Sequence, residues 1–168
     1  IPHSTDLILE IEARIAAIRV DRSSQDDPSN NVVRLLEMAT KEKYSAFQDI
    51  IYYTAAQMDL AAKNKSRAVE SLYKSTTATT NNTLQRSKAF LQLAEISYDA
   101  GNYAKAAQYY DSLKVTDSLP VDPAVLAVKK RALQTLVNKL SIVERQDSLL
   151  LIAALPEEER KEAVKKVV

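Results

Sequence analysis

The sequence predicts an all-α fold built as a row of antiparallel helices, and three observations carry that prediction. The 168-residue chain has a single Gly and five Pro, too few turn-formers for a hairpin-rich sheet. Its composition leans on Ala, Leu, Lys and Glu, which favour helices. Apolar residues recur at helical spacing in segment after segment, separated by short polar breaks.

The first such segment spans 6–19, with Leu7, Ile8, Ile11, Ile15 and Ile18 on one face and Thr5 or Asp6 as N-cap. Residues 21–31 are polar and contain Pro28, which predicts a loop. A second helix is expected from about 31 to 43, with Val33, Leu36 and Met38 inward. A third covers 49–62, a fourth 66–75. The Thr- and Asn-rich stretch 76–83 reads as a loop, because those side chains compete for the helical backbone. Helix resumes over 83–100 and closes on Gly101-Asn102, the expected glycine C-terminal cap. Its partner runs over 103–113. Asp122 and Pro123 then mark a helix start as N-cap and first helical residue. A long helix follows to about 145, with 146–154 as its continuation or a separate helix. Pro156 opens a last helix with three carboxylates at the positive end of its dipole.

The row has a period. With Ser87 as position 1 of a unit of about 34 residues, Phe90 falls at 4, Leu93 at 7, Ala94 at 8, Ala106 at 20 and Tyr110 at 24. With Asp49 as position 1, Tyr52, Ala55, Ala56, Ala68 and Leu72 take the same places, although Asp59 stands at 11 and Lys63 at the glycine turn. Small residues at 8 and 20 let two helices approach, and large ones beside them fill the space. This pattern resembles the tetratricopeptide repeat. It implies a right-handed α-α superhelix with repeats at 49–82 and 87–120. A hairpin at 5–43 and helices at 123–168 flank them in one domain over 1–168. Ser97, Leu113 and Ser118 depart from the pattern at positions 11, 27 and 32.

The succession from Gln108-Tyr109-Tyr110 through Leu136-Val137-Asn138-Lys139-Leu140 to Leu155-Pro156-Glu157-Glu158-Glu159 is similar to the repeat region of PorW/SprE-type proteins. These are cell-envelope lipoproteins of Bacteroidota associated with gliding motility and type IX secretion. The resemblance implies a non-enzymatic periplasmic scaffold with a lipid anchor upstream. The start at Ile1-Pro2-His3, without Met, predicts a fragment of a longer protein.

The residue inventory bounds the chemistry. One Gly leaves no phosphate loop or dinucleotide fingerprint. No Cys leaves no thiol catalysis, disulfide or Cys-based zinc site. A lone His3 near the start reads as solvated, and no cofactor or metal is expected. The acids Glu10/Glu12, Asp26/Asp27 and Glu157/Glu158/Glu159 read as surface charges, not as opposed glycosidase acids. A net charge of +1 gives no electrostatic case for nucleic acid. Lys129-Lys130-Arg131 and Lys165-Lys166 read as solvated helix faces. No apolar stretch is long enough for a transmembrane helix.

What remains is binding. In a repeat array Tyr53, Gln57 and Leu60 of the first unit and Lys88, Leu91, Glu95 and Tyr98 of the second face the concave groove. Tyr52 and Tyr110 belong to the core. Thr54 and Gln92 stand where carboxylate-clamping members of the repeat family place Asn, so that clamp is not expected. An exposed Tyr and Leu row suits a peptide or partner protein. The alternative is a structural spacer whose groove is filled by its own flanking helices, at 5–43 or 156–168.

Overall fold

The computed structural model describes residues 4–20, 29–114 and 119–167. Among them the chain is all helical: α1 Ser4–Val20, α2 Ser29–Ala39, a 3-10 helix Glu42–Phe47, α3 Gln48–Ala61, α4 Lys65–Thr77, α5 Thr83–Asp99, α6 Tyr103–Asp111, α7 Pro123–Ala153 and α8 Glu157–Val167. His3, Asp26, Asp27, Pro28 and Ser118 lie outside the described residues, as do the side chains of Thr5, Asp6, Leu7 and Lys166.

Each helix packs on its neighbours in the chain, and the one further extensive contact joins α3 to α5. The core is accordingly a string of three clusters. Ile11, Ile15, Val32, Leu35, Met38, Tyr44 and Ile51 bind α1, α2 and the 3-10 helix to α3. Ala56, Ala68, Leu72, Ala89 and Leu93 bind α3, α4 and α5. Ala94, Ala106, Tyr110, Leu126 and Leu133 bind α5, α6 and α7. The small-residue pairs Ala56/Ala68 and Ala94/Ala106 are fully buried, each pair inside one cluster.

The α3–α4 and α5–α6 hairpins repeat one another in detail. In the first turn Asn64 N–H donates to the Asp59 carbonyl at 2.8 Å and Lys63 N–H to Leu60 at 3.0 Å. In the second, Asn102 N–H donates to Ser97 at 2.9 Å and Gly101 N–H to Tyr98 at 3.0 Å. This pair of bonds is the Schellman closure, which needs a left-handed residue. Gly101 supplies it at φ 74°, and Lys63 adopts it at φ 60° despite its side chain. Asn64 and Asn102 then cap the following helices, accepting from the amides of Arg67 and Lys105. The far ends are tied alike. Ser75 Oγ donates to the Asp49 carbonyl at 2.8 Å, and Ser87 Oγ donates to the Lys114 carbonyl at 3.1 Å.

Several expected boundaries shift. Residues 29–31 are helical, not loop, and α2 stops at Ala39, where the 3-10 helix takes over. On α2 the inward residues are Val32, Leu35, Met38 and Ala39, whereas Val33 is exposed. Ile8 is exposed as well. The Thr/Asn loop shrinks to 78–82, because Thr76 and Thr77 return their hydroxyls to the Tyr73 carbonyl and stay in α4. Residues 146–153 continue α7.

Candidate functional site

The hairpins set α3 and α5 side by side, and the surface between them is concave. Tyr53, Lys88, Leu91, Gln92, Glu95 and Pro120 line a cavity of about 380 Å³. Of the residues expected in the groove, the structure therefore brings Tyr53, Lys88, Leu91 and Glu95 to one place. Tyr53 comes from one hairpin and the other three from the next, one and two helical turns apart on α5. Tyr53 is half-buried, and its hydroxyl pKa is pushed up by burial and, secondarily, by the negative Glu95. The floor is aromatic and aliphatic, with a cation and an anion at the rim.

The other three expected residues do different work. Gln57 donates its side-chain amide to Gln92 across the α3–α5 seam. Leu60 turns inward against the cluster around Ala56 and Leu72. Tyr98 lies apart from this cavity. Its ring meets Tyr103 edge-on, centroids 5.5 Å apart, and Lys129 Nζ sits 5.3 Å from its centroid.

Lys129 is the residue that sequence reasoning placed differently. It comes from α7, and its ammonium lies 5.1 Å from the Tyr110 ring as well. Tyr110 Oη is buried without a hydrogen bond of good geometry. The nearby Tyr110 hydroxyl is still the first cause holding the Lys129 pKa up, with Glu95 and Tyr98 adding and burial opposing. Lys130 pairs with Asp111 at 3.0 Å. The basic cluster is thus partly folded into the structure, because α7 docks its amino-terminal half on α5 and α6 through Leu126 and Leu133. No local signal separates Lys129 from Arg131. Only the phase of α7 against its neighbours does.

Two buried carboxylates were also invisible to composition. Asp49 and Asp59, both on α3, are at most 2% exposed. Burial pushes both pKa values up. Arg67 lies 3.6 Å from Asp59 and opposes the rise. Ten residues of helix separate the two acids by about 15 Å, beyond the roughly 5–9.5 Å that glycosidase acids span. No group of three or more His, Asp or Glu among the described residues is placed to hold a metal ion. No described helix is long and apolar enough to cross a membrane.

Scans against profiles of known protein families, against characterised proteins and against solved structures returned no match for this chain.

Proposed function

We propose that this chain is a non-enzymatic protein–protein interaction scaffold of the tetratricopeptide type, holding a peptide or partner protein on the concave surface between α3 and α5. One observation carries it: Tyr53 and Leu91, from successive hairpins closed by the same kind of turn, share a cavity with Lys88 and Glu95 on its rim. Aromatic anchors in such concavities dominate interface energies. The rim charges set the orientation of a bound segment. Placement in a periplasmic envelope assembly linked to type IX secretion or gliding belongs to the same proposal and rests on the sequence resemblance.

A spacer role with a self-filled groove has its own support. Lys129 of α7 occupies the Tyr98 end, and Gln57–Gln92 closes the middle. In that reading α7 contributes to the filling through Lys129.

A photoreactive residue at position 53 separates the two. Scaffold function yields a discrete crosslinked protein in the native host that position 73, on exposed α4 surface, does not capture. Absence of any product specific to position 53 would leave the spacer.

A further inference from the structure

The apolar stripe of α7 outlasts the body that it packs on. Leu133, Leu136, Val137, Leu140, Val143, Leu150 and Leu151 follow one another at helical spacing on one face, interrupted by Glu144 and Asp147. Exposure climbs along it: Leu133 3%, Leu140 39%, Val143 51%, Leu150 69% and Leu151 72%. The first turns pack on α5 and α6, and the last turns face solvent. α8 does not cover them, since Leu150 and Leu151 stay exposed with α8 in place. Its sequence offers only Ala163, Val164 and Val167 as apolar residues.

Where α7 leaves the body, a cleft of about 430 Å³ opens between the α5–α6 turn and α7. Its apolar wall is Tyr103, Val137 and Leu140, and Glu144 stands at its outer end. A hollow and a pair of leucine knobs thus lie on the same helix face, ten residues or about 15 Å apart. A two-fold axis between them, near residue 145, seats each copy's knobs in the other copy's hollow. That is the self-complementarity an isologous interface requires.

We propose that the chain pairs with a second copy of itself through antiparallel contact of the distal halves of α7, with Leu150 and Leu151 of each copy seated in the cleft beside Leu140 of the other. The surface is adequate for this. Leu140, Val143, Leu150 and Leu151 expose roughly 400 Å² of apolar area per copy. A standard interface buries about 800 Å² per partner, somewhat over half of it apolar. Half-buried Leu136, Val137 and Tyr103 supply the remainder. This pairing uses a different face from the α3–α5 groove and stands independently of it.

Sedimentation equilibrium on the full chain tests the pairing. The expected result is a concentration-dependent species of twice the chain mass, weakened at least tenfold by Leu150→Glu together with Leu151→Glu, with unchanged helicity and melting temperature. Because the chain has no cysteine, single thiols report the geometry cleanly. A short thiol-to-thiol crosslinker should capture dimers of Asp147→Cys and not of Val125→Cys, which lies near the other end of α7. A monomer at every concentration, a dimer that survives the double Glu variant, or preferential capture through position 125 would each overturn the proposal.

Discussion

Asp49→Asn should stabilise this protein at neutral pH. Asp49 is 1% exposed, and neither carboxylate oxygen has a hydrogen bond of good geometry. Four groups favour its charge: the Thr80 hydroxyl, the backbone amides of Ile50 and of Asp49 itself, and the Arg86 guanidinium. The dipole of α3, whose first turn holds Asp49, adds about 0.3–1 kcal/mol. Desolvation opposes them and prevails, since the pKa is raised. A buried unsatisfied polar group costs about 1–3 kcal/mol and a charged one more; Asn keeps the first cost and sheds the excess, so it should gain about 1 kcal/mol at pH 7. In a chain of this size that is roughly 2–4 °C in Tm. The sign with pH follows from linkage. A carboxyl whose folded pKa is raised contributes stability fully below its ordinary value of 3.8, and that contribution is lost as pH rises through the folded value. The two proteins should therefore converge near pH 4 and diverge upward, with the Asp49→Asn variant the more stable. Urea melts of both proteins from pH 4 to pH 8 read this directly. Asp59, raised in the same direction, cancels in the difference. A loss of more than about 1 kcal/mol in Asp49→Asn at pH 7, growing with pH, would mean that Arg86 holds a charged carboxylate, and the reasoning would fail.

Two further outcomes follow from the packing and the surface charges. Ala106→Leu inserts three carbons where α5 and α6 meet at a fully buried alanine, and it should cost about 1–3 kcal/mol in chemical denaturation. A neutral result would mean that the hairpin is not closely packed there. Glu10 should titrate at about 2, held down first by its hydrogen bonds from Lys43 and then from Arg14. Lys43→Ala should bring the NMR-detected pKa back toward 4.5. The contribution of Glu10 to stability is in place above that value and is lost as pH falls toward 2.

Much of the hairpin architecture was legible because local chemistry and tertiary packing agree there. The alanines twelve residues apart and the Gly101 closure announce themselves in order along the chain, whereas the capping by Asn64 and Asn102 emerged from the structure. Lys63 shows that the same closure forms without glycine, so residue type alone understates the repeat. The α2 register was harder. Asn30-Asn31-Val32-Val33-Arg34-Leu35-Leu36 carries two doubled apolar pairs, and either member of each could face inward until α1 and α3 are placed. The groove was read as one row, yet Gln57, Leu60 and Tyr98 are drawn off to three separate partners. The burial of Asp49 left no trace in the pattern, since an acid on a helix ordinarily faces water; Asp59 stood out only as a departure at position 11 of its repeat.

The string of clusters has a mechanical consequence. Nearly every contact joins segments close in the chain, so little loop entropy opposes assembly and each helix has something to fold against as soon as its neighbour exists. Drawn apart by its ends, such a chain should not snap as one body. It should peel, shedding helices in succession from α8 inward and re-zipping when the load is released, much like a spring with separately yielding coils.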